Sequence, residues 1–430
     1  MRAFGVPAAR RRTMNPSASV RFLQLAAFLA PLLAVLAPRS LAVLLPVAAV
    51  GAGLGAWHER KLSFPPLGPT IVMVAVLVWG AASAAWAFEP KLVWSVWPQI
   101  AGLAVAGLAL VAVGLRVDEH AKPRVGGALA SGVVLAVIAL GIEWVSSETL
   151  GHPLTAFLHQ QRPYLSNMFN RGAATVAVLV WPAAVAVWRL RGGGQAAVLV
   201  ASTFVVVSRF DSMAAIVAIM VGAAICVFAF WRARVVAWAL AVSMALGAAA
   251  APVLPRLPPV EALTHQVRAA VRPGNGIVSI AHRLEIWHFV AQSIAERPLA
   301  GWGLNSSRDL PGGIDEDAAG ARNLPLHPHN AMLQWWLELG AVGATLGTVL
   351  VIFAALGAAT SGSRSRVASA GAIATVAAGI VVALVGYGIW QAWWMAALWL
   401  AAALTAAIGP PHQPDPRKRQ QEAVPQHAQV

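Results

Sequence analysis

The sequence predicts an all-α integral membrane protein of about twelve transmembrane helices, with one long outer loop that contains an amphipathic helix. Three observations predict it. Hydrophobic residues make up 58% of the 430 and charged residues only 11%, far below the roughly 25% charged residues of a soluble domain. The apolar residues gather into runs of about 20, the length a helix needs to cross a bilayer. Cationic residues recur in every second connection between those runs, as the positive-inside rule requires.

The runs fall at 22–38, 41–57, 70–88, 92–115, 125–147, 173–190, 195–208, 212–231, 235–254, 330–358, 367–389 and 391–409. Pro46 interrupts the second, and Arg209 with Asp211 separates the seventh from the eighth. The Arg10-Arg11-Arg12 cluster ahead of the first run has the character of a signal-peptide n-region, but the hydrophobic segments that follow favour an uncleaved anchor. With the N-terminus inside, the inner segments hold Arg10 to Arg12, Arg60 and Lys61, Arg116, Lys122 and Arg124, Arg189 and Arg191, Arg232 and Arg234, Arg364 and Arg366, and Arg417 to Arg419. The extended non-membrane chain then falls on the other face. This divides the chain into a cytoplasmic tail (1–21), a polytopic membrane domain (22–409) that includes the long outer loop (255–329), and a proline-rich, disordered cytoplasmic tail (410–430).

The formal charge of +14 is thus explained by topology, and no nucleic acid is called for. Cys226 is the only cysteine, so no intrachain disulfide can form. The outer face has a composition of its own, with Lys91 as its one lysine beside eleven arginines: Arg39, Arg162, Arg171, Arg209, Arg256, Arg268, Arg272, Arg283, Arg297, Arg308 and Arg322. A planar guanidinium offers paired donors suited to phosphate oxygens. A general arginine bias, visible in the inner segments too, accounts for the set as a whole equally well.

Individual positions say more. In "SIAHRLEIWHFVAQSIAERP", residues 279–298, Ile280, Leu284, Ile286, Trp287, Val290, Ala291 and Ile294 recur at helical spacing, with Glu285, His288, Gln292 and Glu296 opposite. Arg283 projects from the middle of the apolar face, where a cation needs a partner or an anion. The plain alternative is an ion pair with Asp211 or Glu338, and Arg297 reads as a dipole-compatible helix end before Pro298. Arg209, between two apolar runs, is a candidate for a cavity or boundary role, against a local pair with Asp211. Arg171, preceded by Asn167 and Asn170, opens the sixth run, where interfacial anchoring explains it as well.

The stretch "LPLHPHNAMLQWWLELGAVG", residues 324–343, sets two imidazoles directly before a membrane run. Asn330 suits an N-cap, which puts His329 at a helix N-terminus, where an imidazole stays neutral and can act as a general base. Zinc bound by His327, His329, His282 and His288 is the competing chemistry, but HxH alone is a weak signal and no Cys or carboxylate set completes it. The acidic triplet at 315–317 reads as a solvated loop.

Taken in order, "SAAWAFEP" from 83, "SRFDS" from 208, "HRLEIWHFVAQSIAERPLAGWG" from 282 and "HPHNAMLQWWLELGAVG" from 327 resemble the successive blocks of the O-antigen ligase and polymerase superfamily. The resemblance implies a membrane-embedded, inverting glycosyltransferase of the bacterial inner membrane that needs neither nucleotide nor metal, and so no cofactor. It implies an undecaprenyl-diphosphate-linked glycan as donor at the periplasmic face. The acceptor is a hydroxyl of lipid A core or, for a polymerase, a second lipid-linked glycan. It implies diphosphate-binding roles for Arg209 and Arg283 and a catalytic role for His329, with Asn330 beside it and Arg171 and His327 as possible supports. Phe210 and Asp211 depart from the small hydroxyl and apolar residues usual after the Ser-Arg pair. A transporter or flippase is the alternative from another class, with mid-membrane Glu143 and the Pro-interrupted runs in its favour.

Overall fold

The computed structural model describes residues 17–146, 169–269, 277–313, 323–360 and 365–409. Among these, every regular element is helical: α1 (Ala18–Leu36), α2 (Leu41–His58), α3 (Leu67–Ala82), α4 (Pro90–Gly114), α5 (Lys122–Ser146), α6 (Asn170–Arg191), α7 (Gly193–Val207), α8 (Met213–Ala250), α9 (Pro258–Ala269), α10 (Ile277–Glu296), α11 (Ala331–Thr360), α12 (Arg366–Val385) and α13 (Ala392–Ile408), with short 3-10 turns between some of them. The N-terminal arginine cluster, the acidic triplet at 315–317, Arg162, Arg272, Arg322, Arg364 and the tail from 410 lie outside the described residues.

Nine of the described helices are long and apolar enough to cross a membrane, and α7 and α13 are apolar but shorter. The chain is thus an all-helical integral membrane protein. The runs expected at 212–231 and 235–254 lie in one helix, α8, whose 38 residues leave helical geometry only at Arg232 (φ −136°, ψ 50°). An unbroken helix of that length would reach about 57 Å, nearly twice a hydrocarbon core. No Gly or Pro stands between the runs, so the helix resumes after a single residue. The centre of the bundle is α6, whose residues Gly172 to Ala183 are all buried, consistent with its being apolar on every side.

The two ends of the bundle differ. At one, Lys61 pairs with Asp118 (2.8 Å) and Lys122 with Glu119 (2.7 Å). The ammonium of Lys122 also donates to the Gly409 carbonyl, and Arg189 to that of Ile408, at the C-terminus of α13. At the other end, Trp86 Nε1 donates to the Ala300 carbonyl (3.1 Å) and Phe88 N to that of Trp302 (3.2 Å). Arg297 stands at the end of α10, directly after its last residue, and its guanidinium lies 4.2 Å from the Trp302 ring centre while donating to the Trp86 carbonyl.

At that second end α11 is broken. Gly340 has φ +64°, and a Cβ there would lie 2.2 Å from the Leu299 carbonyl oxygen. Main-chain hydrogen bonds from Trp302 N to Leu337 O (2.9 Å), Gly303 N to Glu338 O (2.8 Å) and Ala341 N to Pro298 O (2.9 Å) fasten the break to residues 298–303. The first nine residues of α11 are therefore a separate short helix, Ala331 to Leu339, that carries the histidine segment at its start.

Candidate active site

Asn330 caps α11 as its type predicts: Oδ1 accepts from Met332 N (3.0 Å) and Leu333 N (3.1 Å). Immediately before it, His329 has φ +55°, a left-handed conformation uncommon for a residue with a side chain. The kink turns its amide onto His327 Nδ1 (3.2 Å) and brings the two imidazole centroids to 4.2 Å. His329 Nδ1 lies 2.7 Å from the Gly386 carbonyl oxygen. A carbonyl can only accept, so Nδ1 carries the proton and the neutral ring keeps its lone pair on Nε2. Burial lowers the His329 pKa below the usual imidazole range, helped by the charges of Arg283 and His282 and opposed by the Gly386 bond. His327 is pushed down to about 3, by burial first and then by His329, Arg308 and Arg283. Both rings are therefore neutral near pH 7.

The arginines gather on the Gly386 side. Arg283, partly buried on α10, donates through Nη1 to the Val385 carbonyl (2.7 Å) at the C-terminus of α12. Burial lowers its pKa, and Tyr387 opposes that shift. Arg171, at the start of α6, lies 5.7 Å from the Trp393 ring centre and shares Tyr387 as a neighbour, with Arg39 adding like charge. The alternative pairing of Arg283 with Glu338 is not what forms. Glu338, wholly buried, takes Ser307 Oγ and Gln334 Nε2 (3.0 Å) on one oxygen, and Asn305 N (2.6 Å) and Trp390 Nε1 (2.6 Å) on the other. Arg209 is exposed and rests on the Trp144 ring, 4.7 Å from its centre, while its loop is tied to α6 by Asn170 Nδ2 donating to the Asp211 carbonyl (3.0 Å).

The residues that complete the site lie in the 386–391 connection between α12 and α13, which sequence reasoning passed over. Gly386 sets the His329 tautomer, Gln391 Nε2 lies 3.0 Å from His327 Nε2, and Ile389 N donates to Gln334 Oε1 (3.0 Å). A main-chain carbonyl leaves no trace in sequence. Tyr387 is different, being one of only two tyrosines in the chain. Among the described residues no three His, Cys, Asp or Glu side chains come together as a metal set would. His288, one of the four proposed zinc ligands, instead faces the Pro255 carbonyl (3.0 Å) and Gln292 (2.8 Å).

A many-spanning helical membrane protein, with imidazoles and guanidinium groups converging at one end of its bundle, is the class these elements define. Comparison narrows it. The O-antigen ligase family model matches residues 196–346, a segment that holds Arg209, Arg283, His327, His329, Asn330 and the Gly340 break but stops short of Tyr387. A Rickettsia conorii protein named "Putative polysaccharide ligase" is 28% identical over 288 residues, 66% of this chain and 67% of its own length. Proteins of the same printed description from Rickettsia felis (26% over 295 residues, 67% and 69%) and Rickettsia prowazekii (28% over 249 residues, 56% and 59%) are similar. The matched part thus spans about three fifths to two thirds of each of these relatives. Over residues 196–346, and against these relatives, the chain is similar to the O-antigen ligase family.

Proposed function

We propose that this protein is an inverting glycosyltransferase of the O-antigen ligase type, moving a glycan from undecaprenyl diphosphate to a hydroxyl of lipid A core at the periplasmic face of the inner membrane. The observation that carries the reading is the neutral His329, with Nδ1–H engaged by Gly386 and Nε2 left as a base, beside two arginines whose charged neighbours among the described residues include no carboxylate. In the reaction the acceptor oxygen bonds to the sugar C1 as its proton moves to His329 Nε2. The C1–O bond to diphosphate breaks on the opposite side, and its electron pair leaves with the phosphate. Arg283 and Arg171 meet the charge that develops there, so they bind the transition state more strongly than the ground state. Arg209 would hold the diphosphate further out, and His327 would support His329 through the main-chain contact between them. Lipid anchoring of the donor fits a site at one end of a bundle of twelve spans, with both termini inside and residues 255–329 outside.

Purified protein, an undecaprenyl-diphosphate-linked glycan and either lipid A core or a second lipid-linked glycan test this directly. Transfer to lipid A core with inverted anomeric configuration, unaffected by EDTA, is expected. Transfer only to the second lipid-linked glycan would make the protein a polymerase. Loss on chelation restored by zinc or magnesium would return the histidines to a metal role.

A further inference from the structure

Tyr387 stands beside both arginines of the site and is used by nothing described so far. Its ring is fixed on two sides, edge-on to Trp393 (centroids 4.7 Å, interplanar angle 85°) and 6.4 Å from the Trp394 centroid. The hydrogen bonds of its turn run through the Gly386 carbonyl, Ile389 N, Trp390 Nε1 and the Gln391 amide, and the Tyr387 hydroxyl takes part in none of them. A phenol so covered ordinarily finds a polar partner. Among the described residues, the charged groups that face it are the guanidinium groups of Arg171 from α6 and Arg283 from α10, and no carboxylate stands with them. Burial holds the phenol protonated, its pKa pushed up to about 12 even against those two cations. It is therefore a donor at pH 7, placed where two cations converge.

From this juxtaposition we infer that Tyr387 is a third donor of the anion site, its O–H directed with Arg171 and Arg283 at an oxygen of the lipid-linked diphosphate. The inference rests on the function proposed above and adds a catalytic residue to it. As the C1–O bond breaks, the hydroxyl keeps its proton and shortens its hydrogen bond to the phosphate oxygen that gains the electron pair. Adjacent Gly386 holds the base, so the one turn serves both sides of the reaction, base through a carbonyl and leaving group through a phenol.

Tyr387→Phe removes the hydroxyl and keeps the ring on Trp393. A hydrogen bond to a charged group contributes about 1.5–3 kcal/mol, so the variant should bind undecaprenyl diphosphate roughly 10- to 100-fold more weakly and transfer at least as much more slowly. Its melting temperature should match the wild type, and the KM for acceptor should be unchanged. Ring-labelled tyrosine NMR gives a second readout, since the chain has only two tyrosines: the signal absent from Tyr387→Phe should shift when undecaprenyl diphosphate is added to the wild type. Wild-type affinity and rate in the variant, or a change confined to acceptor KM, would overturn the inference while leaving the proposed reaction intact. A wild-type protein that does not bind undecaprenyl diphosphate would remove the reading of the site and this inference with it.

Discussion

The two ends of the bundle handle positive charge in opposite ways. At one end cations meet carboxylates or helix C-termini: Lys61 meets Asp118, Lys122 meets Glu119 and the Gly409 carbonyl, and Arg189 meets the Ile408 carbonyl. At the histidine end Arg283 has one carbonyl, Arg171 and Arg209 have indole faces, and the Tyr387 phenol neighbours the first two. Charges of the first kind complete a fold and its topology. Those of the second have no carboxylate partner among the described residues, which is the ground for the anion role proposed for this end.

The largest effects should separate these kinds. His329→Ala is expected to slow transfer about 10²- to 10⁴-fold, the range for loss of a general base, with donor binding nearly intact. Arg283→Lys should lose most activity because the paired donor geometry goes while the charge stays. Neither should lower the melting temperature appreciably. A near wild-type transfer rate in either variant would place the chemistry elsewhere.

Gly340→Ala tests the frame that joins the ends. Its φ of +64° with ψ −163° lies in a region essentially reserved for glycine and costs a β-carbon about 1–3 kcal/mol, and the Cβ, 2.2 Å from the Leu299 oxygen, forces the 298–303 strap to move as well. Reduced membrane yield and a lower melting temperature are expected, together with lost activity. A variant that is stable yet inactive would show that the strap acts on the site rather than on folding.

Acid should weaken the histidine end first. Burial keeps His327 and His329 unprotonated in the folded protein below the ordinary imidazole value of about 6.5. Between that value and about 3, the unfolded chain binds a proton that folded His327 does not. The unfolded state is therefore favoured, and stability falls as pH falls through this window. The acid limb of kcat/KM, set by His329, should likewise lie below pH 6.5; a limb at or above it would contradict a buried base.

The smallest effect is expected at the end that holds Lys61. Asp118→Asn removes the partner that holds Lys61 above its usual range, but the pair is largely exposed, with side chains 50% and 64% accessible. Pairs of this kind contribute at most about 1 kcal/mol. Thermal stability should barely change and transfer should not; a marked loss of transfer would blur the contrast between the ends.

Much of this was legible in the sequence where the signal is local. Periodicity alone put Arg283 on the apolar face of α10, where Ile286, Val290 and Ile294 are indeed buried, and residue type alone made Asn330 a cap. Features fixed by distant chain were not legible. α9 is too polar to announce itself, and the carbonyl that orients His329 comes from 57 residues away. The boundary read between the runs at 231 and 235 does meet the α8 break at Arg232, and only the immediate resumption of the helix was unforeseen. Arg209 shows the limit in another way, since its sequence neighbours suggest Asp211 as a partner and its ring partner, Trp144, lies on α5.

The break at Gly340 divides one helix between two mechanical bodies. Below it, residues 341–360 pack as a span against α3, α8 and α12. Above it, Ala331 to Leu339 hangs from the 298–303 strap and, through Gln334 and Glu338, from the connection into α13. A single glycine thus lets the membrane span and the short helix that carries the histidine segment take different directions, while the strap they share through Ala341, Leu337 and Glu338 fixes the angle between them.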